Sequence, residues 1–235
     1  MFDVVLLMAG RGTRTGLDYN KVLYKINNKP IFRYSLDTFL EIEECNRIVL
    51  VINPEEEAEI KSLISDVNLK KIKIVSGGNM RQDSVYNGII ECNSEVALIH
   101  DAARPLITKG IILNVYRKTL VYSAAVTAIK TIDTIKELRD GKLITLDREK
   151  LYNIQTPQGV NLDKFKNAHL KAKDEKFYST DDVSLLEKYY NISPTIVEGS
   201  IYNFKVTTSF DLEIMKKLLE EWIYGLSNWS FSWYT

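Results

Sequence analysis

Two cysteines and two histidines in 235 residues leave little material for metal or redox chemistry. Cys45 and Cys92 lie far apart, and neither sits in a Cys-x-x-Cys or histidine-rich context. The pattern points to two buried thiols in a reducing cytosol, not to zinc or dithiol exchange. Net charge is also missing, because 31 basic residues balance 31 acidic ones. A nucleic-acid scaffold is therefore disfavoured, while a local basic patch facing an anionic small molecule stays open. No long hydrophobic run occurs. The apolar start, Met1 to Leu7, is too short to span a bilayer and has neither a cationic leader nor a small-residue cleavage site. It reads as the first core strand of a cytoplasmic protein without a membrane partner. Repeats and linkers are lacking too. What remains, 45% hydrophobic and 26% charged residues, suits one large α/β domain with a substantial core.

Short β-rich apolar runs alternate with helical patterns through the first half. Val4 to Leu7, Ile48 to Ile52, Ile72 to Val75, Val96 to Ile99 and Ala124 to Ile129 have the doubly apolar character of parallel strands. Pro30 to Leu40, Glu55 to Asn68, Asp83 to Cys92 and Lys109 to Leu120 read as crossover helices. This order predicts a doubly wound, mostly parallel sheet that binds ligands beyond the carboxyl ends of its strands. Asp140-Gly141 is a hairpin signal between Thr131 to Leu138 and Lys142 to Arg148, so a two-stranded arm is expected over about 131–150. Further on, Leu162 to Lys173, Asp181 to Tyr190 and Phe210 to Tyr224 look helical, and Thr195 to Val197 and Asn203 to Val206 look like strands. Residues 1–224 are expected to form one domain including the arm, followed by an aromatic tail, 225–235, to which no role is assigned.

The residues with chemical potential cluster after the strands. Ala9-Gly10-Arg11-Gly12-Thr13-Arg14-Thr15-Gly16, with Lys21 beyond, lets backbone N–H groups approach phosphate oxygens while Arg14 and Lys21 offset the charge of a triphosphate. It fits neither the Walker pattern nor the dinucleotide glycine fingerprint. Gly77-Gly78-Asn79-Met80-Arg81-Gln82-Asp83-Ser84-Val85 opens a helix after the third predicted strand. There the glycines permit close approach to a base edge, and Ser84 either bonds that base or caps the helix. His100-Asp101-Ala102-Ala103-Arg104-Pro105 ends the fourth, where Asp101 can bind a substrate hydroxyl or help hold a magnesium ion carried by a triphosphate. His100 reads as a packed residue. Thr134, Arg148 and Thr156 offer hydroxyls and a guanidinium suited to phosphate, although each also fits a turn cap, a surface ion pair or a loop. Thr180-Asp181-Asp182 has the form of a helix start. Lys205 lies in the late alternating segment and points either to a site or to water.

Five spaced blocks between Val4 and about Leu212 resemble the 2-C-methyl-D-erythritol 4-phosphate cytidylyltransferase family of the non-mevalonate isoprenoid pathway. They are Ala-Gly-x-Gly-x-Arg from Ala9, Gly-Gly-x-x-Arg-x-Asp-Ser-Val from Gly77, His-Asp-Ala-Ala-Arg-Pro from His100, Asp147-Arg148 through Gln155-Thr156-Pro157-Gln158, and Thr180-Asp181-Asp182. The resemblance implies a Rossmann-like, GT-A-like nucleotidyltransferase fold. It also implies CTP and a sugar-alcohol phosphate as substrates, magnesium carried with CTP, and a homodimer whose arm reaches the neighbouring site. By that resemblance Arg14, Lys21 and Lys205 are catalytic. Ala9, Gly10, Gly12, Gly78, Asn79, Arg81, Ser84 and Asp101 bind CTP, and Thr134, Arg148, Thr156 and Thr180 surround the second substrate. Asn20-Lys21-Val22 departs from the usual Pro-Lys-Gln, which removes a rigid turn, and Met8 replaces a small residue where it can crowd the base side. Ribitol-5-phosphate cytidylyltransferases share the CTP blocks and provide the alternative acceptor. A catalytically silent nucleotide-binding homologue is the alternative from another class.

Overall fold

In the computed structural model, which describes residues 1–10 and 16–224, every apolar run of the first half becomes a strand. In chain order the strands are β1 (Phe2–Leu7), β2 (Lys25–Ile26), β3 (Lys29–Pro30), β4 (Cys45–Ile52), β5 (Ile72–Ser76), β6 (Val96–Asp101), β7 (Ala124–Lys130), β8 (Lys136–Arg139), β9 (Lys142–Thr145), β10 (Tyr152–Asn161) and β11 (Thr195–Glu198). The helices are α1 (Ile31–Leu40), α2 (Glu57–Leu63), α3 (Arg81–Ile89), α4 (Lys109–Tyr122), α5 (Leu162–Asp174), α6 (Ser184–Tyr190) and α7 (Ser209–Tyr224). Seven strands form one sheet in the order β11-β7-β10-β6-β1-β4-β5, while β2-β3 and β8-β9 are separate pairs. The chain winds from β1 outward through β4 to β5, then returns to place β6 on the other side of β1. That reversal opens a crevice at the carboxyl ends of β1 and β6.

Strand alternation sorts β1 between two cores. Phe2, Val4 and Leu6 join Phe32, Leu36 and Phe39 of α1, Ile60 of α2, and Ile112 and Val115 of α4. Val5 faces the opposite layer with Val85 and Ile89 of α3 and Phe165, Ala168 and Ala172 of α5. Helices on both faces explain why strands of a parallel sheet are apolar on both sides. A third cluster sets Leu212, Met215 and Leu219 of α7 against Ile26, Ile31, Leu106 and Val206. Both cysteines are buried free thiols, with burial pushing Cys45 up to about 12 and Cys92 higher still.

Three expectations need correction. The segment around Gln155-Thr156-Pro157-Gln158, read as a loop, lies inside β10, the one antiparallel member between β6 and β7. Its pairing with β7 skips from Ile154 to Gln158, and this irregularity accommodates Pro157, reached by a cis peptide, within a central strand. Asn203 to Val206, read as a strand, is irregular chain tied back by the Val206 N–H to the Ala103 carbonyl. The helix expected over 55–68 is shorter: a 3-10 turn at Pro54–Glu56 leads into α2, which stops at Leu63. The hairpin arm forms as expected around Asp140-Gly141, both at positive φ, although its paired residues are limited to β8 and β9. The aromatic tail lies outside the described residues.

His100 and His169 are both buried, and burial lowers each pKa to about 4. Unfolded histidine titrates near pH 6.5, so between these values the unfolded chain binds more protons and stability is lost as pH falls. The denaturation midpoint should therefore drop from pH 6.5 to 4. His169→Phe keeps a ring against Phe165 and removes a buried nitrogen that has no hydrogen-bond partner, so it should flatten the drop. An undiminished drop in that variant, followed by urea denaturation across the pH range, would contradict this origin.

Candidate active site

The crevice is a cleft of about 530 Å³. Residues from β1 and the chain beyond it, Leu7 to Gly10, form one part, Gly78 to Arg81 and Ser84 another, and Asp101 and Ala103 a third; Lys21, Val22 and Lys205 complete the lining. Nine residues expected at a nucleotide site therefore meet in one place: Ala9, Gly10, Lys21, Gly78, Asn79, Arg81, Ser84, Asp101 and Lys205. Arg14 and Gly12 lie outside the described residues.

Close packing explains the glycines after β5. A β-carbon added at Gly77 would lie 2.5 Å from the Ala9 methyl, and one at Gly78 would run into the Asp83 side chain. The first two glycine-rich blocks thus require small residues on both sides to approach each other. Ser84 serves this loop directly. Its Oγ accepts from the Gly78 N–H at 3.0 Å and donates to the Met80 carbonyl at 3.2 Å, while the Asp83 carboxylate accepts from the Met80 N–H at the start of α3.

Asp101 is the charged centre of the cleft. Its side chain is only 10% exposed, with one oxygen 2.9 Å from Lys205 Nζ and the other 3.4 Å from an Arg81 nitrogen; Arg104 Nε lies 3.9 Å away. Burial alone would raise its pKa, but the charges of Arg81 and Lys205 outweigh it and hold the carboxylate ionised, far below the ordinary range. Arg81 also makes a bidentate pair with Asp182 at 2.7 and 2.8 Å. A guanidinium fork matches a carboxylate in this way, and the pairing orients Arg81 across the cleft wall.

Other expected contacts do not meet at the cleft. The Thr156 hydroxyl is buried, accepts from the Asp101 N–H at 3.1 Å and lies 3.0 Å from His100 Nδ1, so it orients the end of β6 and does not line the cleft. Thr134 and Arg148 are exposed on and beside the arm, and Thr180 is exposed before α6. Of the two departures, Met8 lines the cleft at the end of β1 while its side chain, 1% exposed, packs in the apolar cluster that contains Leu6, Val22 and Ile52. Asn20 preserves a turn: its Oδ1 accepts from the Val22 N–H and caps the 3-10 turn Lys21–Leu23.

Sequence reading missed the polar struts behind the site. Gln158 Oε1 accepts from the Asp182 and Val183 N–H groups, fixing the carboxylate that holds Arg81. Asn203 donates to Gln155 Oε1 and the Thr156 carbonyl, and Arg104 donates to the Asn203 carbonyl, which together fix the irregular segment carrying Lys205. A buried Gln-x-x-Gln in a strand was the available signal, since such amides need partners supplied by neighbouring loops.

This geometry coincides with a family match along almost the whole chain. Residues 2–221 match the model described as IspD: 2-C-methyl-D-erythritol 4-phosphate cytidylyltransferase. The chain belongs to that family. The Aquifex aeolicus 2-C-methyl-D-erythritol 4-phosphate cytidylyltransferase is 40% identical over 221 residues, covering 93% of this chain and 98% of the relative. The Bacillus cereus protein of the same name is 37% identical over 222 residues, with the same coverage. Among solved structures, 4-diphosphocytidyl-2C-methyl-D-erythritol synthase from Anaerococcus prevotii superposes with a TM-score of 0.85 at 28% identity, covering 94% of this chain and 96% of that one. The Francisella tularensis 2-C-methyl-D-erythritol 4-phosphate cytidylyltransferase gives 0.76 at 29% identity, with 92% and 98% covered. The family's doubly wound, mostly parallel nucleotidyltransferase fold is thus the fold of this chain.

Removing Arg81 leaves the Asp182 side chain, 4% exposed, without its guanidinium. Arg81→Ala should destabilise the protein by about 2 kcal/mol. Asp182→Asn, which keeps one amide oxygen toward Arg81, should cost less. Urea denaturation checks this order, and a larger loss in Asp182→Asn would reverse the argument.

Proposed function

We propose that the chain transfers CMP from CTP to 2-C-methyl-D-erythritol 4-phosphate, releasing pyrophosphate, in non-mevalonate isoprenoid synthesis. The observation that carries this reading is the convergence of Lys21, Lys205, Arg81 and Asp101 with the small residues Ala9, Gly10 and Gly78 in one cleft at the carboxyl edge of the sheet. A phosphate oxygen of the acceptor attacks the α-phosphorus of CTP, a new P–O bond forms, and the bond to the β-phosphate bridging oxygen breaks. Such transfer needs positioning and charge stabilisation more than a protein nucleophile.

Ala9 and Gly10 bring the backbone close to the triphosphate, a role that the family motif extends to Gly12, while Gly78, Asn79 and Ser84 stand beside cytosine and ribose. Lys21 and Arg14 offset charge as pyrophosphate leaves, and Lys205, steered by Asp101, faces the reacting phosphate. Among the described residues no group of three acidic, histidine or cysteine side chains could hold a metal, and Asp101 is the one acidic residue lining the cleft. That donor set fits magnesium carried by CTP better than a resident ion, since magnesium keeps much of its water and takes few protein oxygens. Bound in that way, the ion would supply charge neutralisation on the triphosphate oxygens.

The family match and the names of the relatives favour the methylerythritol acceptor over ribitol 5-phosphate. The cation-lined cleft disfavours a silent homologue. We take 1–224 as one nucleotidyltransferase domain with 131–150 as its arm. On that arm Ile132, Leu138 and Leu143 are 81%, 69% and 64% exposed, an apolar display that suits burial against a second copy. Thr134 and Arg148, outside the cleft of their own chain, would then reach the acceptor in the partner's site. No helix among the described residues is long and apolar enough to cross a membrane, and the proposed location is the cytoplasm.

Pyrophosphate release tests the assignment. Lys21→Ala should lower turnover by about 100-fold or more while the protein stays folded. Arg148→Ala should weaken the acceptor more than CTP. At an acceptor concentration too low for Arg148→Ala to turn over, mixing it with Lys21→Ala should restore about a quarter of wild-type activity through dimers that pair an intact cleft with an intact arm. Near-normal turnover in folded Lys21→Ala would refute the catalytic assignment, and absence of rescue would refute the shared site.

A further inference from the structure

The residue beside the catalytic lysine carries three side-chain hydrogen bonds, more than a simple turn cap requires. Asn20 is 3% exposed. Its Nδ2 donates to the Met8 carbonyl at 2.6 Å and to Glu56 Oε2 at 3.0 Å, while Oδ1 accepts from the Val22 N–H at 3.3 Å. Each contact belongs to a different piece of chain. Met8 follows β1 immediately and is itself fixed by its N–H donating to the Val51 carbonyl of β4. Val22 lies within the 3-10 turn that carries Lys21, and Glu56 closes the turn leading into α2. Both donor hydrogens of the amide are satisfied, so the orientation with nitrogen toward Met8 and Glu56 is the one the surroundings select; the reverse would set an amide oxygen against a carbonyl and a carboxylate.

We propose that Asn20 and Glu56 are positioning residues that hold Lys21 at the reacting phosphates by clamping its turn to the end of β1. This rests on the transferase reading of the cleft. Lys21 is 9% exposed and lines the cleft, on a turn whose two neighbouring anchors, the Asn20 carbonyl accepting from Leu23 and the Lys21 carbonyl accepting from Tyr24, are local. Local bonds shape the turn without fixing where it stands relative to the sheet. Packing of Val22 and Leu23 in the core seats the turn against the sheet, and Asn20 adds a directional tie to the end of β1, with Glu56 holding the amide in register. Because Lys21 acts on charge that develops as pyrophosphate leaves, displacing it should reduce turnover more than nucleotide binding.

Substitution at Asn20 separates this role from a purely structural one. Asn20→Asp keeps the acceptor for Val22 but cannot donate to Met8 and places a second carboxylate against Glu56. Its kcat should fall at least about tenfold while KM for CTP changes less than about threefold. Glu56→Gln retains an acceptor oxygen and should stay near wild type, whereas Glu56→Ala should share the kcat defect. Full activity in Asn20→Asp, or a loss in every variant that tracks only its fall in Tm, would overturn the clamp. The wild-type rate with CTP and acceptor is the control for the transferase reading alone. If wild type shows no turnover, the clamp is judged from peptide-mapped acylation of Lys21 by a soluble amine reagent. That modification should accelerate in Asn20→Asp but not in Glu56→Gln, and equal rates in wild type and both variants would overturn the clamp.

Discussion

The carboxylate of Asp101 at the end of β6 is the interaction on which the site depends. Removing a carboxylate from water is unfavourable, and this one remains ionised because Lys205, Arg81 and Arg104 surround it. Those cations come from three separate places: irregular chain after β11, the first turn of α3, and the loop after β6. One buried charge therefore draws together segments that sequence separates by as much as 124 residues, from Arg81 to Lys205. Replacing such a cluster by apolar groups need not reduce stability, so its value lies in position. It fixes cationic side chains around a cleft before any anion arrives.

Behind this cluster, uncharged polar groups do the alignment. Gln158 holds the backbone of Asp182, Asp182 holds Arg81, and Thr156 holds the backbone of Asp101. Gln155 and Asn203 fix the chain that carries Lys205. All of these struts converge on β10, the antiparallel strand next to β6. The parallel half of the sheet supplies the glycine-lined walls, and the antiparallel insertion supplies the polar scaffolding. Transfer between two anionic substrates benefits from this arrangement because the groups that offset charge are already oriented.

Much of this was legible in the sequence. Four of the five apolar runs were doubly buried strands because helices cover both sheet faces, the fifth, Ile72 to Val75, being a half-buried edge strand, and Asp140-Gly141 marked the arm because both residues adopt positive φ. Ala9, Gly10, Gly78, Lys21, Asp101 and Lys205, assigned to one site by the family resemblance, do converge. β10 escaped detection because its middle is Gln-Thr-Pro-Gln, which lacks apolar alternation and contains a proline that strands usually exclude. Thr156 was read as a phosphate contact since a threonine hydroxyl carries no mark of whether its partner is a ligand or a backbone N–H. Asn20 looked like the loss of a rigid turn, whereas its amide replaces covalent restraint by hydrogen bonds that only the folded chain reveals.

The most direct measurement follows pyrophosphate release by purified protein with magnesium and CTP, offering 2-C-methyl-D-erythritol 4-phosphate and ribitol 5-phosphate in parallel. Turnover with the methylerythritol phosphate and none above background with ribitol 5-phosphate is the predicted result. Turnover with ribitol 5-phosphate alone, or with neither acceptor in folded protein, would contradict the account.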